Sequence, residues 1–240
     1  MAQVGQPPEK SRKREIAEAV GEALVASVPV AGGALAVAYV KVLGAAYEKR
    51  QLDWARDVTV ALADLSVKVE GLTPESLAED DQFLDALAHA SSVAAVTGQQ
   101  EKLDALRNAV LNAALPSDID ADTQAIFLRH IRDLTPSHLR LLKLLSDPPA
   151  WFDEQGIPWP ENIEVGSLTR IVEIGMPEVA GRRDFYDNLA RDLSAAGMST
   201  SELGGMKRAD GLKAPRASAT GQAFLRFITD PRDLSDDGAE

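Results

Sequence analysis

From Gly33 to Glu70 the chain runs thirty-eight residues without a proline and with one interior glycine, Gly44. Along this run apolar residues fall at Val40, Leu43, Tyr47, Trp54, Val58, Ala61, Leu65 and Val69. Apart from one seven-residue step the spacing is three or four, the period of an amphipathic helix or a coiled-coil seam. The spacing predicts one continuous helix over residues 34–69. At ~1.5 Å per residue such a rod is roughly 57 Å long. Isolated helices are marginal in water, so the stripe needs partners, in this chain or in another copy. It exceeds what one short preceding helix covers, and a homo-oligomer is expected.

Aromatic residues make up only 5% of the 240, while Ala, Leu and Val abound, which suits packed helices better than a sheet sandwich. The absence of cysteine removes disulfides, thiolate nucleophiles and Cys-ligated zinc, and points to a cytoplasmic protein. The net charge of −12 is unevenly spread. Residues 1–70 carry nine basic and nine acidic groups, residues 71–166 six against sixteen, and residues 167–240 ten against twelve. The acidic middle repels nucleic acid and anionic lipid, which excludes a general nucleic-acid binder but not a local basic patch.

Residues 1–9 are polar and expected to be disordered. A basic run (Lys10, Arg12, Lys13, Arg14) leads into a first helix ended by Pro29 and the Gly32-Gly33 pair, so that the long helix returns as the second arm of a helical hairpin. From Ala23 to Val40 there are eighteen uncharged residues, the lower length bound for a membrane span. Pro29, the glycine pair and the Ala/Val composition favour a buried helix–turn–helix over insertion. Further helices are expected from Thr73-Pro74-Glu75, over Gln82–Thr97, Gln99–Leu115 and Asp120–Leu134 (with Ile126, Phe127, Ile131 and Leu134 inward), and after Thr135-Pro136. Short loops between them mean a bundle. A Pro- and Trp-bearing loop is expected from Pro148 to about Asn162, its Trp151, Phe152 and Trp159 pinning it to the bundle. Ser167–Ile174, Gly181–Ala196 and Thr220–Ile228 read as helices, and the tail from Asp230 as disordered.

No catalytic arrangement withstands inspection of the residues. His89, His130 and His138 are scattered, and Asp85–His89 is the one pair with helical metal-ligand spacing. Asp118, Asp120 and Asp122 open like a calcium loop, but Thr123 and Arg129 occupy its glycine and bidentate-acid positions. The three acids fit a helix start instead. Gly197–Ser201 lacks the final glycine of a nucleophile elbow. No cofactor or metal is expected.

From Thr135 the order is helix (Pro136–Ser146), loop with a short strand near Ile163–Val165, helix (Ser167–Ile174), helix (Gly181–Ala196), hairpin-like stretch, closing helix. That order resembles the winged helix-turn-helix family over about 95 residues. The resemblance implies a recognition helix at Gly181–Ala196 carrying Arg182, Arg183 and Arg191, and a wing at Met198–Thr220 carrying Lys207, Arg208, Lys213 and Arg216. These cations would pair with phosphates and base edges, or dock a protein partner. The N-terminal part resembles uncharacterised bacterial helical proteins.

The fold expected is mainly α, with a helical hairpin and bundle over residues 10–134, a winged-helix-like module with a small β wing over 135–229, and disordered tails at 1–9 and 230–240. The function expected is a non-enzymatic interaction or regulatory protein that self-associates through the long helix and contacts DNA or a protein partner through its C-terminal module. The alternative is a membrane-acting protein that inserts the apolar hairpin of residues 23–46.

Overall fold

A computed structural model describes residues 33–160, 165–200 and 203–234, with side chains from residue 44 to residue 233. The first helix expected and the basic run of residues 10–14 lie outside the described residues. The chain divides into two compact units, Met1–Arg56 and Asp57–Glu240. The division falls inside helix α1 (Gly33–Lys68), which is continuous, as its unbroken period predicts.

In the first unit α1 is solvated over Tyr47 and Leu52, which are 45% and 65% exposed, and Asp53 takes ion pairs from Lys49 (2.7 Å) and Arg56 (3.7 Å). Such exposed pairs contribute little, because water and salt screen them.

In the second unit the C-terminal half of the stripe is consumed within the chain. Val58, Ala61 and Leu65 are buried. Ala61 and Leu65 join Leu72 and Leu111 in one apolar cluster, flanked by Leu62, Val69, Leu77 and Leu115. The following helices are α2 (Pro74–Ala78), α3 (Asp81–Val96), α4 (Gln100–Ala113), α5 (Ala121–Asp133), α6 (Pro136–Ser146) and α7 (Pro148–Glu154). Then come strand β1 (Val165–Ser167), α8 (Leu168–Gly175), a 3-10 turn (Pro177–Val179), α9 (Arg183–Ala195), strand β2 (Met206–Arg208), α10 (Ala209–Lys213), α11 (Ala219–Phe227) and α12 (Pro231–Leu234). The protein is thus mainly helical, with one two-stranded antiparallel sheet among the described residues.

The helix starts follow from side-chain oxygens that accept the first unpaired amides. Thr73 and Ser76 form a reciprocal capping box, Asp80 accepts from Phe83 N (3.0 Å), and Asp120 accepts from Thr123 N (2.9 Å). Asp147 accepts from Ala150 N (3.0 Å) and Pro148 follows at the first helical position. That cap is why Pro148–Glu154 is a helix rather than the start of the expected loop. Its aromatics do pin the segment: Trp151 Nε1 donates to Gly175 O (2.8 Å) and Phe152 is buried.

Helices on both sides of residue 134 pack together, since α11 and α12 both rest on α4, while α9 and α11 rest on α6. Two asparagines one turn apart on α4 hold the C-terminus of α11. Asn108 Nδ2 donates to Ile228 O (2.9 Å), and Asn112 Nδ2 donates to Phe227 O (3.0 Å) and Thr229 O (2.8 Å). Lys102, 8% exposed, likewise donates from Nζ to Arg132 O at the end of α5 (2.6 Å), and its burial lowers its pKa.

Two expectations are corrected here. Ile126 is 40% exposed, because Phe127 and Ile131 already fill the inward face of α5. Residues 230–234, expected as the start of a disordered tail, are held in place and include a helix. Asp230 accepts from Arg232, whose guanidinium also reaches Asp64 (3.1 Å), and this holds α12. No helix among the described residues is long and apolar enough to cross a membrane.

Candidate interaction surface

The sequence-derived candidates fall on α9 and the residue before it (Arg182, Arg183, Arg191), on β2 (Lys207, Arg208), and on α10 and the loop after it (Lys213, Arg216). Ser167 Oγ caps α8 by accepting from Arg170 N (3.4 Å), and Gly181, at φ +73°, supplies the left-handed turn that leads into α9. The inward face of α9 is Tyr186, Leu189, Ala190 and Leu193, all buried. Tyr186 Oη donates to Glu173 Oε1 (3.0 Å); burial first, then this carboxylate, push the phenol up to about 12. On α6, His138 sits with Nδ1 facing Thr135 N (3.1 Å) and Nε2 facing Asp192 Oδ2 (3.3 Å), so α9 is clipped to the start of α6.

The outward face of α9 is electrically balanced. Arg183 Nε approaches Asp187 (3.4 Å), Arg191 Nη1 donates to Asn188 Oδ1 (2.5 Å), and Arg182 lies over the Phe185 ring (4.1 Å). With Asp184, Asp187 and Asp192 against Arg182, Arg183 and Arg191, three acids meet three bases. Phosphates approaching this face meet as much repulsion as attraction.

After Gly197 (φ +71°) comes the stretch expected as a hairpin-like wing, Met198–Thr220. Ser199 bridges Ala217, flanked by Ser218 N donating to Met198 O (2.8 Å) and Thr200 N donating to Arg216 O (3.1 Å). Between these arms β2 leaves to pair with β1, with Val165 opposite Arg208, Gly166 opposite Lys207 and Ser167 opposite Met206. Opposed residues share a face and neighbours alternate. Val165, Met206 and Arg208 therefore form the outer face, Val165 being 53% and Met206 69% exposed. Lys207 lies on the other face with buried Gly166 and is itself half-buried.

The seven predicted cations thus part company. Arg182, Arg183, Arg191, Arg208 and Lys213 are exposed. Lys213 lies over the Trp159 ring (5.6 Å), which itself rests on Phe152 (4.8 Å). Arg216 is half-buried and tied to the fold: its backbone N donates to Leu145 O (2.6 Å), Nη2 donates to Gly211 O, and Nε is buried without a hydrogen-bond partner among the described residues. Counting charges along the chain cannot reveal that difference.

Among the described residues no three His, Asp or Glu side chains gather as a metal would require, so the Asp85–His89 pair has no third ligand. A cleft of about 370 Å³ lies at the C-terminal ends of α1 and α4, lined by Leu72, Ser76, Gln82, Asn112, Leu115 and Phe227 among others. Its polar wall is satisfied internally: Gln82 Nε2 donates to Ile119 O and Gln124 Oε1, and Gln124 Nε2 donates to Gln82 O. No nucleophile and base are brought within reach of each other there. No protein family, curated protein or solved structure matches the chain.

Proposed function

We propose that the chain is a non-enzymatic interaction or regulatory protein, which self-associates along α1 and docks a protein partner through its winged-helix-like C-terminal part. The observation that carries the docking is the outer face of the β1–β2 ribbon. Two large apolar side chains, Val165 and Met206, stand in solvent there beside Arg208, without an acidic residue in either strand. Exposed apolar groups grouped with an arginine are the usual anchors of a protein interface. The element order around them, α6, β1, α8, α9 and then a bridged excursion, supports the winged-helix-like reading. Protein is favoured over duplex DNA because α9 carries no net charge on the face that would read bases.

The test is affinity capture with the full chain as bait from a nuclease-treated lysate, beside the variant Val165→Asp/Met206→Asp. Proteins retained by the wild type and lost by the variant support the reading; identical recovery overturns it. Retardation of a labelled duplex at low salt, kept by that variant and lost on Arg182→Ala/Arg183→Ala/Arg208→Ala, would reassign the surface to DNA.

A further inference from the structure

The buried stripe of α1 in the second unit, Val58, Ala61 and Leu65, faces the chain's own core. Roughly opposite it, at the helical 100° per residue, lie Val60, Ala63 and Val67, spaced by three and four. Val60 is 56% and Val67 87% exposed, and Ala63 between them is exposed. β-branched residues weaken a solvated helix, and without a covering surface Val67 in particular gains nothing in return. Between Asp57 and Lys68 the only charged residue is Asp64, and Arg232 engages it from the side.

We propose that this second face of α1 is the contact with a second copy of the chain, packed antiparallel about a two-fold axis between Leu62 and Ala63. The proposal deepens the self-association in the reading above and rests on it. The charges select the occupant. Asp57 and Lys68 are both exposed and have no ion partner among the described residues. They sit eleven residues apart on one flank of the stripe, ~16 Å along the axis, and cannot meet within one helix. In an antiparallel pair that flank meets itself, and the two-fold brings Asp57 of each copy level with Lys68 of the other. Two symmetric ion pairs then bracket the valines, with small Ala63 at the crossing, where the helices come closest. An isologous contact of this kind uses one patch twice. It also gives a chain of net charge −12 an attractive place to meet itself.

The face spans twelve residues from Asp57 to Lys68, roughly 17 Å, which puts the interface at the small, weak end of the size range. Sedimentation of the full chain from about 10 to about 300 µM should therefore show mass rising from 25.7 kDa towards twice that value. Val60→Asp/Val67→Asp should weaken association at least ~10-fold with an unchanged circular dichroism spectrum. Asp57→Lys or Lys68→Asp alone should weaken it by a few fold, and the two together should restore it to within about twofold of wild type. A 25.7 kDa species at every concentration overturns the proposal, whether the face is bare or covered within one copy. Failure of the double swap to restore association overturns the antiparallel register. Leu84 and Val96 are the exposed apolar residues of α3 (40% and 65%), and loss of association on Leu84→Glu/Val96→Glu, with none on the valine variant, moves the contact there and overturns the proposal too. Capture by the β1–β2 ribbon is read separately, so failure here leaves the docking half of the functional reading standing.

Discussion

Gly221, in the first turn of α11, packs against backbone rather than against a side chain that could move. A methyl group there would sit 2.1 Å from Met198 O and 3.0 Å from its carbonyl carbon, in a place where an ordinary contact needs more than 3.4 Å. The obstructing carbonyl accepts Ser218 N (2.8 Å), while Ser218 Oγ both donates to Gly197 O (2.6 Å) and accepts from Gly221 N (3.0 Å). Shifting α11 away by about 1 Å disturbs this whole knot. Overpacking costs about 1–3 kcal/mol and a strained hydrogen bond about 1 kcal/mol more. Replacing a helical glycine by alanine returns about 1 kcal/mol. The net for Gly221→Ala is a loss of about 1–3 kcal/mol, or roughly 2–12 °C in Tm for a unit of this size. Urea unfolding followed at 222 nm gives the number. Gly44→Ala, with nothing within 4 Å, is the matched control in which propensity acts alone. A Gly221→Ala midpoint at or above wild type would refute the close-packing account.

Asn108→Ala and Asn112→Ala should each cost about 1–3 kcal/mol, since both leave carbonyls at the end of α11 without a donor; hydrogen exchange should show residues 225–228 opening first. The Tyr186 phenol titrates at about 12 in the fold against an ordinary 10, so its neutral form stabilises the protein fully below pH 10 and that contribution is lost as pH rises towards 12. Tyr186→Phe should flatten the decline of the urea midpoint over that interval, and an unchanged slope would count against the buried phenol. Arg140 joins Glu101 on α4 to Glu178 in the 3-10 turn with all three side chains about two-fifths exposed; Arg140→Ala should lower stability by no more than ~1 kcal/mol, less in 1 M salt.

Where local chemistry decides the outcome, the sequence is legible. The period of α1, the Thr73-Pro74 and Thr135-Pro136 starts and the Asp120 cap all act within one or two turns, and each appears where the residues place it. Asp147-Pro148 carries the same signal, but the second proline and two aromatics beside it disguise a helix start as a loop. The β1–β2 pairing joins residues some forty positions apart in three-residue strands, too short for alternation to show in the sequence. That pairing decides the site, because it separates Lys207 from Arg208. Arg216 illustrates the same limit: its backbone N is held by Leu145 O and its guanidinium by Gly211 O, and neither partner marks it in the sequence.

The grip of Asn108 and Asn112 on α11 also sets a clock on synthesis. Asn108 and its acceptor Ile228 are 120 residues apart. At about 5–20 residues per second a ribosome needs roughly 6–24 s to travel that distance, and longer to clear Ile228 from its exit tunnel. Throughout that interval α4 is present without the helix that its asparagines hold, and Phe127 waits for Phe224 and Phe227, the rings it will touch at 5.4 and 5.6 Å. Any chain released before residue 228 carries the same open flank permanently, exposing aromatic surface that chaperones and proteases bind. Helix α11 thus closes this flank, and only a chain translated past residue 228 can complete it.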